Sequence, residues 1–236
     1  MSFIKDYNTE LQEMLKNAVH FGHYTKKWNP KMKPFIYGIK DGVHVFDLHQ
    51  TIAQLDTALD YLAKCSKEGK TILLVSTKQQ STPILEKVAE ETGMPYVTNK
   101  WIPGFITNFT TVHKRIVQLK KWKDMIQDGG LDKYTKKEAL KIQKNANKLQ
   151  QVLGGVEGME KRPDVLFVVD TVRDAVAVRE ANKVGIPVIA IVDSNSDPDK
   201  VDFAIPGNDD AIKSLTYLMG KVSEAIGPKG SKGSKK

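Results

Sequence analysis

Cations and flat aromatic rings are the groups in this chain best suited to chemistry, and two segments concentrate them. The first reads His20-Phe21-Gly22-His23-Tyr24-Thr25-Lys26-Lys27-Trp28-Asn29-Pro30-Lys31-Met32-Lys33-Pro34-Phe35-Ile36-Tyr37-Gly38, with four lysines, two histidines and no acid. Lysines neutralise phosphates, while Tyr, Trp and His offer flat faces or hydrogen bonds to bases and sugars. The candidate contacts are therefore His20, His23, Tyr24, Lys26, Lys27, Trp28, Asn29, Lys31 and Lys33. Prolines are expected to hold this stretch extended without strand pairing. The second segment runs Asn99-Lys100-Trp101-Ile102-Pro103-Gly104-Phe105-Ile106-Thr107-Asn108-Phe109. Lys100 and Trp101 extend the nucleic-acid reading, and Thr107 and Asn108 can cap a helix or bond a phosphate. On chemistry alone, either segment also fits a structural aromatic anchor.

Catalytic signatures fail one by one. No G-x-G-x-x-G follows the first apolar run, which disfavours a dinucleotide site. Gly69-Lys70-Thr71 resembles the end of a phosphate loop, but Lys64 stands where the earlier glycine belongs and the tripeptide precedes a strand. His20-Phe21-Gly22-His23 lacks the glutamate and spacing of a metalloprotease helix. In the calcium-loop-like run from Asp193 to Asp199, Pro198 replaces the required glycine and Ala204 the bidentate glutamate. No nucleophile–base pair is legible, and no cofactor is expected. Asp170 and Asp193 end apolar runs, and Asp209-Asp210 is expected to open the last helix; all read first as turn and cap residues. A divalent ion shared by Asp193, Asp209 and His23 is the sharper alternative, as is a nucleotide- or metal-dependent enzyme at these strand ends.

Charge placement points the same way as the motifs. The net charge is +8, made of +3 over residues 1–46, +7 over 114–148 and four lysines in the last ten residues, so the remainder carries −6. Such segregation suggests a polyanion met at particular surfaces. A run of solvated helix faces would also produce it. Cys65 is the only cysteine, which fits a reducing compartment. The longest apolar stretch, Val165–Val169, is far short of the ~20 residues that cross a bilayer. The first residues lack signal or transit character. A soluble cytoplasmic protein is expected, with an organelle-encoded origin left open.

The elements that must position these residues follow from periodicity. A capping box at Thr9 and Gln12 is expected to start the first helix. Strands are expected at Val43–Phe46, Ile72–Ser76, Tyr96–Thr98, Val165–Asp170 and Val188–Val192, and helices at Ile52–Ser66, Thr82–Thr92, Asp174–Val184 and Asp209–Ile226. Runs apolar on both faces, such as Ile72-Leu73-Leu74-Val75, suit a parallel strand covered on both sides. The fold class is α/β with a doubly wound parallel sheet. Between the strands, apolar residues Phe109, Val112, Ile116, Leu119, Trp122 and Ile126, then Ala139, Ile142, Ala146, Leu149 and Leu153, form two narrow seams. These predict helices over Ile106–Gln127 and Thr135–Leu153, packed as an inserted α-helical coiled-coil hairpin. Lys137, Lys141, Lys144 and Lys148 share one face of the second, and Lys114 and Arg115 lie on the first; all six are candidate RNA contacts. The expected organisation is an α/β body at 1–105 and 154–226, the hairpin at 106–153, and a disordered basic tail at 227–236.

Ordered strings carry a resemblance. His20-Phe21-Gly22-His23, Trp28-Asn29-Pro30-Lys31-Met32 and Pro34-Phe35-Ile36 are followed by Trp101 with Gly104 and Thr107-Asn108, by Leu153-Gly154-Gly155 and by Pro163-Asp164. Asn182 with Gly185-Ile186-Pro187, the run Ile191–Pro198 and the run Ile205–Ile212 complete the series. From about Leu11 to Ile226 the chain resembles the ribosomal protein S-two family of the small subunit. That resemblance implies a flavodoxin-like body with a coiled-coil hairpin of bacterial and organellar type. It further implies no catalysis, binding to small-subunit ribosomal RNA near the head–body junction, and contacts with other small-subunit proteins, including the largest, which captures messenger RNA. The chain departs from the family in having Ile102-Pro103-Gly104 where Leu-Gly-Gly is common, Phe109 for a common tryptophan, and a lysine-rich tail.

Overall fold

In a computed structural model, residues 3–4 and 6–228 are described; the lysines of the tail, expected to be disordered, lie outside them. The chain runs α1 (Tyr7–Lys16), β1 (Phe21–Tyr24), β2 (Ile36–Lys40), β3 (Val43–Phe46), α2 (Leu48–Lys67), β4 (Ile72–Val75), α3 (Thr82–Thr92) and β5 (Tyr96–Val97). It continues with α4 (Phe109–Gln127), α5 (Lys136–Leu153), β6 (Val165–Val168), α6 (Ala175–Val184), β7 (Val188–Val192), β8 (Phe203–Pro206) and α7 (Ile212–Ile226).

Five parallel strands form one sheet in the order β5-β4-β6-β7-β8. Counted within the sheet this is 2-1-3-4-5, the order of flavodoxin-type doubly wound sheets. The side-chain period of two divides each strand between two cores. Ile72, Leu74, Val165, Phe167, Ile189 and Ile191 pack with residues of α1, α2, α3 and α7. Leu73, Val75, Leu166, Val168, Val188 and Ala190 pack with α6 and the roots of α4 and α5. That alternation is why these strands read as continuous apolar runs.

Several expectations are corrected here. Val43–Phe46 is not a strand of the parallel sheet; it is the centre of a separate antiparallel sheet, β1-β3-β2. The prolines do not keep the basic segment unpaired, because Pro30 and Pro34 sit in a 3-10 turn between β1 and β2 and leave both strands free to bond. Asp41 and Gly42 both have positive φ, 52° and 77°, and form the tight turn from β2 to β3. Asp-Gly between strands is a hairpin signal of that kind. The fifth parallel strand is β8, whose Phe203-Ala204-Ile205-Pro206 run is as long as β4 and β6 but holds a single β-branched residue and ends in proline. Helix α1 is capped by Asp6, whose carboxylate accepts from Asn8 N, and not by Thr9. The last helix starts at Ile212, three residues beyond Asp209.

The capping box at α5 is present as expected, with Thr135 and Glu138 bonded reciprocally. Beyond its end, Gly155 lies so close to β5 that a Cβ would sit 2.4 Å from the Tyr96 carbonyl oxygen and 2.8 Å from its ring. Gly155→Ala is expected to cost about 1–3 kcal/mol through this forced overpacking. Gly158→Ala, where a Cβ meets nothing within 4 Å, should be near neutral. Thermal denaturation followed by circular dichroism compares the pair; equal melting temperatures would refute the packing argument.

Candidate nucleic-acid interface

The antiparallel sheet fixes how the basic segment is displayed. Trp28 stacks on buried His44 of β3, with ring centroids 5.0 Å apart. Asn29 accepts from Lys31 N through its side chain, while its own N–H donates to the Ser194 carbonyl at 2.7 Å. Met32, between two lysines, is fully buried in the core. The segment is thus pinned at alternate points, and its lysines are turned outward. Lys26, Lys27 and Lys33 are exposed. Lys31 is different: its ammonium lies 3.1 Å from Asp197 and 2.8 Å from Asp199, which raise its pKa. Tyr24 and Tyr37 are 66% and 83% exposed, open for stacking. His20 packs on the Phe21 ring, and burial, with Lys40 nearby, lowers its pKa. It therefore offers a neutral ring near pH 7.

The second segment turns the other way. Trp101 is only 7% exposed, packed against Phe105 in the core. Its Nε1–H donates to Glu180 Oε1 at 3.1 Å, and Gly104 N donates to the same oxygen at 2.7 Å. Glu180 Oε2 accepts from Ile106 N, Thr107 N and Thr107 Oγ1 at 3.0–3.1 Å. Five donors thus converge on one carboxylate of α6. Burial pushes Glu180 up, but these hydrogen bonds outweigh it and hold the carboxyl below its usual range. Trp101 and Thr107 are corrected accordingly: they are a clamped core anchor, and neither presents its ring or hydroxyl to a base or phosphate. Lys100 and Asn108 stay exposed beside the clamp.

The clamp roots α4 and α5. Phe109, Val112, Ile116 and Leu119 of α4, and Leu153 of α5, are buried in the body's second core. Towards the connection burial falls away, and Trp122, Ile126, Ala139 and Ile142 are only half-buried. The pair packs together. Lys114, Arg115, Lys137, Lys141, Lys144 and Lys148 are all exposed.

At the carboxyl ends of the parallel strands a charged cluster joins the arm to the body. Lys78, just after β4, contacts Asp209 at 2.8 Å, Asp210 at 2.6 Å and Asp170 at 3.4 Å. Burial opposes its charge, yet Asp209, Asp210 and Asp170 hold the ammonium above its ordinary value. Burial pushes Asp209 up to about 7, with Asp193 and Asp170 adding repulsion. From the arm, His23 N donates to Asp193 Oδ1 and Ser194 Oγ at 3.1 and 2.8 Å. Gly22 permits this approach, since a Cβ there would lie 2.9 Å from Ser194 Oγ.

A family profile described as "Ribosomal protein S2" matches residues 14–228, nearly the whole described chain. The chain belongs to the ribosomal protein S2 family. The protein named "Small ribosomal subunit protein uS2" in Geotalea uraniireducens is 46% identical over 219 residues, covering 93% of this chain and 86% of that relative. Proteins of the same name in a Nitratiruptor species and in Coprothermobacter proteolyticus are 45% and 44% identical over 216 residues, each covering 92% of this chain and 81% of the relative.

As an S2-family member the chain is a structural component of the small ribosomal subunit and not an enzyme. That disposes of the enzyme reading of the strand ends, which in this S2 chain hold an internal ion-pair cluster. Among the described residues no helix is long and apolar enough to cross a membrane. Lys78 and Glu180, the two residues that organise these sites, had no readable signal in the sequence. Each sits in an otherwise ordinary stretch, and its partners are 70 or more residues away. The Asp-Gly turn could have revealed the arm's hairpin.

Proposed function

We propose that this chain binds small-subunit ribosomal RNA through the outward face of its antiparallel arm and the basic faces of α4 and α5. Membership of the S2 family carries this reading. Its local support is a set of exposed lysines, Lys26, Lys27 and Lys33, held beside open Tyr24 and Tyr37 on a rigid sheet. His20, His23 and Trp28 act from half-buried positions, more by fixing the arm than by reaching far. Lys100, Asn108, Lys114 and Arg115 continue the basic surface past the clamp. Helices α4 and α5 form a coiled-coil hairpin that projects from the body, and Lys137, Lys141, Lys144 and Lys148 meet phosphates along it. The hairpin constitutes the insertion at 106–153, with the body at 1–105 and 154–226. The acidic remainder of the body contacts neighbouring small-subunit proteins, including the largest, messenger-RNA-capturing one. The protein works on cytoplasmic ribosomes.

Most of the RNA affinity then comes from phosphate neutralisation and falls steeply with salt. Sucrose-gradient sedimentation of the native protein at low and high salt is the test. Co-migration with small subunits at low salt and release at high salt is the expected result. Migration as a free protein at low salt would overturn the reading.

A further inference from the structure

The parallel sheet has a topological switch point between β4 and β6. From β4 the chain crosses through α3 to β5 on one side, and from β6 it crosses through α6 to β7 on the other. The loops that leave the carboxyl ends of these two neighbours therefore diverge, and open α/β sheets take their ligands in such a crevice. A cleft of about 310 Å3 lies there, lined by Thr77, Asn99, Lys100, Pro103, Arg173 and Val176. That volume is at the small end of the range for ligand sites and suits a single nucleotide. Arg173 and Lys100 are exposed, and among the described residues neither forms a salt bridge. Arg173 is nevertheless held in place. Its backbone N–H donates to Asp170 Oδ1 at 2.9 Å, and its Nε–H donates to Thr77 Oγ1 at 3.1 Å. Thr77 in turn donates from Oγ1 and from N to the two oxygens of Asp174, at 2.9 and 3.0 Å. Asp174, the acid of the cleft wall, is 2% exposed and has both oxygens engaged by Thr77, so the outward charge is positive. The Nε bond leaves the terminal nitrogens of the guanidinium, a planar fork matched to two oxygens of a phosphate. Exposed Asn99 offers an amide to a sugar hydroxyl or base edge, and exposed Pro103 and Val176 offer apolar surface to one face of a base.

We propose that this cleft holds one turned-out nucleotide of the small-subunit ribosomal RNA, its phosphate on the Arg173 fork and Lys100 and its base against Pro103 and Val176. The inference rests on the RNA-binding reading above and deepens it, since it adds a shaped pocket to a surface of scattered lysines. Lys100 joins the two, because it lies with exposed Asn108 beside the Glu180 clamp. Phosphate contacts fix the register of a protein on RNA, and a pocket for a base adds a preference for an unpaired nucleotide.

Filter binding of the full chain to small-subunit RNA across a salt series tests this. Losing one phosphate contact removes about 0.9 from the slope of log affinity against log salt, which is about five-fold in affinity near 0.15 M. Arg173→Gln should show that loss, and Arg173→Gln combined with Lys100→Gln about 30-fold with a slope lower by about 1.8. Arg173→Lys should keep the parent slope and bind more weakly than the parent, because the charge persists and the fork does not. Arg179→Gln, on the same helix but outside the cleft, should leave affinity and slope unchanged. Arg173→Gln indistinguishable from the parent, or an equal loss for Arg179→Gln, would overturn the cleft while leaving the RNA reading in place. A parent chain that fails to bind at low salt would overturn both. A photoreactive benzophenone amino acid in place of Val176 should crosslink to a single RNA position, whereas crosslinks scattered over many positions refute a seated nucleotide. Adenosine monophosphate, titrated onto the RNA-free chain and followed by the Thr77 and Arg173 amide resonances, should not saturate below millimolar concentration, since it lacks the local concentration that a folded RNA supplies. Saturation in the micromolar range would assign the cleft to a free nucleotide and overturn the RNA assignment.

Discussion

Glu180→Ala is expected to lower the melting temperature by about 10 °C. The carboxylate accepts five hydrogen bonds from Trp101, Gly104, Ile106 and Thr107, in a part of the core where water cannot replace all of them. Leaving a buried donor unsatisfied costs about 1–3 kcal/mol, so a total near 4 kcal/mol is reasonable even if water rescues some. For a domain of this size each kcal/mol moves the midpoint by about 2–4 °C. Glu180→Gln keeps the shape but turns one acceptor into a donor amide, so it should recover little. The same bonds hold the Glu180 carboxyl below its usual range against the opposing effect of burial. A depressed folded-state pKa contributes stability that is complete above the unfolded glutamate value and is lost as pH falls through the folded one. The indole N–H resonance of Trp101 should therefore hold its position through neutral pH and move only in acid below the ordinary glutamate range. A melting temperature within 2 °C of the parent, as a rough bound for an exposed site, would refute the clamp.

Replacing Lys26, Lys27 and Lys33 together by Gln should weaken ribosomal RNA binding about 100-fold near 0.15 M salt. Each phosphate contact contributes about 0.9 to the slope of log affinity against log salt. Three contacts therefore remove about 2.7 from the slope, and extrapolation from ~1 M, where the effect vanishes, gives the factor quoted. Lys31→Gln alone should change the slope little, because Asp197 and Asp199 already neutralise that ammonium in the folded chain. Filter binding to small-subunit RNA across a salt series separates these cases. A triple variant with an unchanged slope would remove the arm from the interface. Equal losses for Lys31 and for the triple would mean that RNA breaks the Lys31 ion pairs to reach it.

The parallel strands and their covering helices were legible because burial on both faces leaves unbroken apolar runs, and helix seams repeat at three and four residues. Helix α3 has the expected bounds, and Thr135 with Glu138 marked the start of α5. The fifth strand was not legible, since Phe203–Pro206 is buried only in its second half, holds a single β-branched residue and ends in proline. Nor was the arm, whose prolines suggested an unpaired chain although they lie between strands, not in them. Similar-looking lysine- and aromatic-rich segments also proved to face opposite ways. Composition alone cannot tell a tryptophan aimed at solvent from one donating to a buried glutamate.

What the sequence by itself determined was local: which stretches become strands or helices, where the charge lies, and which family strings occur in order. Each is written in neighbouring residues and survives without knowledge of the rest of the chain. Tertiary structure alone decided that Trp101 and Thr107 belong to Glu180, that Lys31 is neutralised while Lys26, Lys27 and Lys33 are not, and that His23 meets Asp193 and Asp209. Those meetings depend on the strand order, which brings the ends of β7 and β8 beside the arm. Electrostatic and hydrogen-bond energies fall off within a few ångströms, so they are set by which chain ends the sheet makes adjacent, and no local pattern encodes that adjacency.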